Sequence, residues 1–358
     1  MALALSLGRR GMGNTWPNPA VGCVVVQAGR IVGRGWTARG GRPHAETQAL
    51  AQAGAAARGA DVFVTLEPCA HHGQTPPCAQ ALIDAGVARV VMALGDSDDR
   101  VAGRGIAMLQ AAGIEVVTGV MEAEARADHI GFLMRIEQGR PMLTLKLANS
   151  FDGRIATATG ESQWITDAPA RRIVHALRAR HDAVMVGGGT ARADDPSLTV
   201  RDMGDVPQPA RIVVSRRLDI PLGSKLAQTA RDVPLLLCHG AEAPEGLVAA
   251  WQGMGAELLL CRVSGGQMDM RDVMAQLGKR GLTRVFCEGG GALAASVLQA
   301  DLVDHLIGFN AGVVIGAEGL PGIGAMGVAR LGHAPRFDLV STQAVGPDVM
   351  HSWVRRNP

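Results

Sequence analysis

The sequence predicts two consecutive α/β domains, and three observations carry that prediction. The chain has 358 residues, too many for one ordinary core. Short β-branched runs alternate with Ala-rich segments of helical pattern. At Gly139-Arg140-Pro141 the pattern breaks, and a second alternating series follows. The domains are expected at 1–140 and 141–358.

In the first domain, Val21–Gln27 reads as a strand that returns over Ile31–Trp36 across the turn Ala28-Gly29-Arg30. His44–Ala57 reads as a helix, being Ala-rich with apolar residues on one face. Asp61–Leu66, Ala88–Leu94 and Ile114–Gly119 read as buried strands. Helices are expected over Cys78–Gly86, Gly105–Gly113 and about Glu122 to Gln138, which makes the domain a layered sandwich. In the second domain the candidate strands are Met142–Ala148, Asp182–Gly187, Ala210–Ser215, Val233–Cys238, Ala256–Cys261, Thr283–Gly289 and Asp304–Phe309.

Composition narrows the function classes. Hydrophobic residues make up 47% and charged residues 19%, so sizeable cores are available and disorder is excluded. The net charge of +2 suggests neither a nucleic-acid binder nor a membrane-surface binder. The longest apolar stretch, Ala311 to Ala329, is interrupted by Glu318 and falls short of a spanning helix. The N-terminus places its apolar residues before Arg9-Arg10, the reverse of a secretory signal. Six cysteines in a chain of this length read as thiols or ligands. A cytoplasmic protein is expected.

The strongest chemical signal is His44-Ala45-Glu46, followed by Glu67-Pro68-Cys69 and Cys78. One imidazole and two thiolates suit Zn²⁺ and leave a fourth tetrahedral position open for water. Bound zinc brings the pKa of that water to roughly 7, and an adjacent carboxylate that is not a ligand can move its protons. His-x-Glu with a Pro-Cys pair is the signature of zinc nucleobase deaminases, which makes Glu46 the proton shuttle. Residues i and i+2 of a regular helix point about 200° apart. His44 must therefore stand at the helix start, off helical geometry, and Arg42-Pro43 favours such an extended entry. Eight residues separate Cys69 from Cys78, and Pro76-Pro77 suggests a fresh helix start at Cys78. The competing readings are a structural zinc closed by His71 or His72, or buried free thiols. Cys23 reads as a small buried strand residue.

The run Thr65-Leu-Glu-Pro-Cys-Ala-His-His-Gly-Gln-Thr-Pro-Pro-Cys78 resembles the deaminase half of the RibD family of bifunctional riboflavin-biosynthesis proteins. So do Asn18-Pro-Ala-Val-Gly-Cys23 and Val101-Ala-Gly-Arg-Gly105. The resemblance implies a cytidine-deaminase-like α/β/α sandwich in which His44, Cys69 and Cys78 hold zinc and Glu46 is the acid/base. It also implies that Asn18, His71 and Asp96 contact the pyrimidine or its ribose phosphate. Gln74 stands where many relatives carry Lys or Arg, and Asp98 where Asn is common.

The second domain speaks more quietly on its own. Glycine-rich turns at Gly187–Thr190 and Gly289–Gly291 follow apolar strands, and the second leads into Ala292–Ala300, an arrangement able to cradle phosphate. Leu145–Ala156, Ser162–Thr166 and Thr190–Arg201 resemble the RibD reductase, with a dihydrofolate-reductase-like fold that uses NADPH. The resemblance implies a cofactor site of Ala148, Trp164, Thr190, Asp194, Gly290, Gly291, Ala292, Leu293, Ala294, Ala295 and Ser296. It implies a substrate site of Ser162, Arg178, Leu198, Arg201 and Glu288. Lys146 belongs to the motif without a readable task, and no general acid is evident.

The resemblance spans about residues 1–355 and implies two successive reactions on a phosphoribosyl-pyrimidine, with zinc and NADPH as cofactors and association through the reductase domain. The first is zinc-dependent deamination of 2,5-diamino-6-(5-phosphoribosylamino)pyrimidin-4(3H)-one. NADPH-dependent reduction of its ribosyl chain then yields 5-amino-6-(5-phosphoribitylamino)uracil. The rivals are a deaminase of another nucleobase with a non-catalytic nucleotide-binding domain, and a binding protein with a decayed reductase half.

Overall fold

A computed structural model describes residues 1–70, 76–97 and 102–356. The chain divides into two compact units, Met1–Gly139 and Arg140–Pro358. No described helix is long and apolar enough to cross a membrane.

The first unit contains, in chain order, α1 (Ala2–Gly8), β1 (Gly22–Gln27), β2 (Arg30–Trp36), α2 (Ala45–Ala53), β3 (Asp61–Val64), α3 (Cys78–Asp84), β4 (Arg89–Met92), α4 (Arg104–Ala111), β5 (Glu115–Val117) and α5 (Glu122–Gln138). The strands lie in the order β2-β1-β3-β4-β5, with β1 antiparallel to both neighbours and β3, β4 and β5 parallel. Alternation of side chains assigns each face of this sheet to a different helical layer. Cys23, Val25, Val62, Val64, Val90 and Met92 bury against Ala45, Ala49, Ala79, Leu82 and Leu109. Val24, Val26 and Phe63 meet Ala4 and Leu7 of α1. The unit is thus the expected α/β/α sandwich, and Cys23 is a core residue within it.

The second unit runs β6 (Met142–Asn149), β7 (Arg154–Ala156), α6 (Ala168–Ala179), β8 (Ala183–Gly187), α7 (Gly188–Asp194), β9 (Ala210–Val214), α8 (Lys225–Gln228), β10 (Leu235–His239), α9 (Glu245–Gly253), β11 (Glu257–Leu260), β12 (Val263–Ser264) and β13 (Gln267–Met268). It continues with α10 (Met270–Lys279), β14 (Arg284–Cys287), α11 (Gly291–Gln299), β15 (His305–Asn310), β16 (Leu320–Pro321), β17 (Phe337–Val345) and β18 (Asp348–Arg355). Its large sheet has the order β11-β10-β9-β8-β14-β6-β15-β18-β17. The strands from β11 to β15 are parallel, and the β17–β18 hairpin is added antiparallel at one edge. The inner parallel strands β8, β9 and β10 are buried, mostly apolar runs, as expected of a covered parallel sheet. In such sheets ligands bind beyond the carboxyl ends of the strands. Here β8 and β14 are neighbours, so their two glycine turns emerge side by side.

Candidate active sites

His44 is the N-cap of α2, with extended dihedrals of φ −70° and ψ 161°, so it stands outside the helix as the i, i+2 argument requires. Glu46 lies in the first turn and is buried. Cys78 opens α3 directly after Pro77, as the Pro-Pro pair predicts. The ligand atoms of His44, Cys69 and Cys78 lie within 4.8 Å of one another, and among the described residues no other group of His, Cys, Asp or Glu converges in this way.

Their spacing suits zinc. His44 Nδ1 is 3.3 Å from Cys78 Sγ and 3.7 Å from Cys69 Sγ. A tetrahedral ion with bonds of about 2.0–2.1 Å to nitrogen and about 2.3 Å to sulfur holds those atoms about 3.6 Å apart. The two observed distances bracket that value.

The electrostatics agree. The Cys78 thiol, together with His44 and the Cys78 backbone N–H, brings Cys69 down to about 4 against the cost of burial. Cys78 itself is held high by its bond to Cys69 and by burial. A cation binding here takes thiolate ligands, so the lowered Cys69 suits it. The bond to Cys69 raises His44. Burial and the nearby Cys69 charge lift Glu46 to about 6, with His44 opposing.

Asn18 donates from Nδ2 to the carbonyl of Gly41 at 2.9 Å, which ties it to the segment that delivers His44. Asp96 donates its backbone N–H to Glu67 Oε2 at 3.3 Å, two residues before Cys69. His71, Gln74 and Asp98 lie outside the described residues.

In the second unit, Thr190 Oγ accepts the backbone N–H of Gly290 at 3.2 Å and so joins the two glycine turns. Gly290 is the N-cap of α11 and brings no side-chain acceptor to the amides of the first turn. Gly289 packs closely on this helix, since a Cβ there would lie 2.9 Å from Leu293 Cβ. Ala292, Leu293, Ala294, Ala295 and Ser296 follow along α11, and Asp194 ends α7. Ala148 lies near the end of β6, while Trp164 is 65% exposed beneath the guanidinium of Arg171, 4.5 Å from its ring.

Of the expected substrate residues, Arg178, Glu288 and Arg201 belong to one charge cluster. Arg178 forks onto Glu288, Nε to Oε1 at 2.5 Å and Nη2 to Oε2 at 3.1 Å, and donates to Thr199 O at 2.8 Å. Lys146 Nζ stands 3.8 Å from Glu288 Oε2. Burial alone would raise Glu288, but Arg178 and Lys146 hold its pKa low, while burial lowers Lys146. His175 accepts the Arg201 N–H at Nδ1, 3.2 Å away, and burial with Arg178 and Arg201 lowers its pKa. Leu198 is buried with φ +56°, and Ser162 is half-buried in the segment before α6.

Sequence reasoning missed the tasks of Glu67, Lys146 and His175. Glu67 and Lys146 stood inside quoted motifs, which was a usable signal; His175 carried none.

These features define a class: a zinc-type deaminase unit followed by an α/β unit with two joined glycine turns at the ends of its parallel strands. Residues 1–94 match the cytidine and deoxycytidylate deaminase zinc-binding region, and residues 141–351 match the RibD C-terminal domain. The chain belongs to the RibD family. It is 43% identical to the riboflavin biosynthesis protein RibD of Escherichia coli, covering 98% of this chain and 96% of that one. The Aquifex aeolicus RibD is 39% identical, with 98% and 96% covered. Among solved structures, Acinetobacter baumannii RibD superposes with a TM-score of 0.89 at 35% identity, covering 99% and 97%. A Thermotoga maritima diaminohydroxyphosphoribosylaminopyrimidine deaminase/5-amino-6-(5-phosphoribosylamino)uracil reductase gives 0.86 at 31%, also covering 99% and 97%.

Proposed function

We propose that the chain carries out two successive steps of riboflavin biosynthesis. The first hydrolyses the C2 amine of 2,5-diamino-6-(5-phosphoribosylamino)pyrimidin-4(3H)-one, consuming water and releasing ammonia. The second takes a hydride from NADPH and a proton from solvent to open the ribosyl group to ribityl, giving 5-amino-6-(5-phosphoribitylamino)uracil. The observation that carries this reading is the convergence of His44, Cys69 and Cys78 beside a buried Glu46.

His44, Cys69 and Cys78 are the zinc ligands. When bound, zinc supplies the Lewis acid that makes water a nucleophile at neutral pH. Glu46, lifted to about 6 by burial, can both take a proton and return it near neutrality, so it carries one to the departing amine. Asn18, Asp96 and His71 contact the pyrimidine or its ribose phosphate.

In the second unit, Gly290 to Ser296 and Thr190, with Ala148, Trp164 and Asp194, would hold NADPH, a helix start being suited to phosphate. Arg178, Arg201 and Lys146 outnumber Glu288, and the excess positive charge matches a phosphate monoester of about −2. Ser162 and Leu198 complete the substrate site. This reading places the enzyme in the cytoplasm as a homo-oligomer joined through the reductase unit. Leu339 and Val340, exposed on the edge strand β17, suit such a contact.

The test follows ammonia release and NADPH oxidation in one reaction mixture. The reading expects equal amounts of each, with ammonia appearing first. NADPH oxidation without ammonia would remove the deaminase assignment.

A further inference from the structure

Glu67 has no part in the chemistry above, yet it is buried, at 4% exposure, two residues before the ligand Cys69. Its carboxylate is filled by backbone donors. Oε1 accepts from Gly105 N at 2.9 Å and Ile106 N at 3.3 Å. Oε2 accepts from Gly103 N at 3.1 Å and Asp96 N at 3.3 Å. The backbone N–H of Glu67 donates in turn to Leu94 O at 2.9 Å.

Gly103, Gly105 and Ile106 are the N-cap and first turn of α4, whose orphan donors need an acceptor. The helix has none of its own, since Gly103 is left-handed at φ +72° and carries no side chain. Glu67 therefore caps α4 from a distant part of the chain, where a negative group also complements the helix dipole. The approach is close: a Cβ at Gly105 would lie 2.1 Å from Pro68 O and 3.1 Å from Glu67 Oε1. A buried carboxylate persists only where it is hydrogen-bonded, so its bonds fix both segments that supply the donors.

We propose that Glu67 is a positioning residue of the deaminase site. Through Pro68 it is joined to the ligand Cys69, and through hydrogen bonds it holds Asp96 and the start of α4. One side chain thereby sets Asp96 relative to the metal ligands. The proposal rests on reading Asp96 as a substrate contact.

The experiment measures deamination kinetics on the zinc-loaded full chain for Glu67→Gln, Gly105→Ala and Asp96→Ala, with zinc content and reductase rate recorded alongside. Glu67→Gln points an amide NH₂ at donors, and Gly105→Ala pushes α4 away while keeping Glu67. Each should raise the deaminase KM about tenfold while kcat stays within about threefold. Zinc content and reductase rate should match the parent. Asp96→Ala should raise KM as well. If Asp96→Ala raises KM and the other two do not, the positioning role is overturned while the Asp96 reading stands. If Asp96→Ala leaves KM unchanged, that reading fails and takes the proposal with it. Loss of zinc or of kcat at constant KM in Glu67→Gln would mark simple structural support and overturn the proposal. Should Glu67→Gln fail to fold, Gly105→Ala decides by the same criteria.

Discussion

Thr190 Oγ accepts the Gly290 N–H at 3.2 Å, so the two glycine turns at the ends of β8 and β14 form one surface. Removing the acceptor leaves a donor unpaired at a cost of about 1–3 kcal/mol. Thr190→Val should therefore raise the KM for NADPH roughly fivefold or more and leave ammonia release unchanged. An unaltered NADPH KM would separate this contact from cofactor binding.

Lys146 faces Glu288 at 3.8 Å beside the Arg178 fork. Lys146→Met keeps the length and removes the charge, leaving less positive excess for a phosphate ester. The KM for the reductase substrate should rise about tenfold or more, and far less for the same substrate without its phosphate. Equal losses with both would assign Lys146 to something other than the phosphate.

Chelation should divide the two activities. Stripping zinc, or replacing Cys69 with Ser, should abolish deamination while added deaminated intermediate is still reduced at the parental rate. Loss of both activities together would point to zinc supporting the whole chain.

His181 supplies a pH dependence of stability. Burial drives its pKa down to about 3, and the neutral ring bonds Leu177 O at 2.7 Å and Thr144 Oγ at 3.0 Å. In the unfolded chain the same ring binds its proton at about 6.5. Between those two values the unfolded state holds more protons, so stability falls as pH falls, by at most ~1.4 kcal/mol per unit from this group. Denaturant midpoints at pH 7 and pH 5 should therefore converge in His181→Gln. An identical pH dependence in both proteins would exclude His181 as its source.

Much of this molecule was legible in its residues, and the exceptions have physical causes. The inner strands declared themselves as short apolar runs because they are buried, as in Ala183–Gly187. The extended entry of His44 followed from helix geometry and Pro43 alone. The β17–β18 hairpin escaped notice because Phe337–Val345 is largely exposed and lacks a core-facing alternation. Helix α1, seven residues long and apolar except for Ser6, is too short to show a period. Glu67 signalled itself only by its place in the Glu-Pro-Cys run, because its partners are backbone amides 29 to 39 residues away, which leave no side-chain pattern. Lys146 and Glu288 meet only through the pairing of β6 with β14.

The central claim is that two working sites act in series on one substrate. Its most direct test is the mass spectrum of products formed from the diaminopyrimidine ribosyl phosphate by the zinc-loaded chain, with and without NADPH, beside Glu46→Gln. The account predicts a deaminated product without NADPH and a product both deaminated and reduced with it. Glu46→Gln should retain zinc and slow deamination by about 10²–10⁴-fold. Deamination at the parental rate in Glu46→Gln, or an unchanged substrate mass with zinc and NADPH both bound, would contradict it.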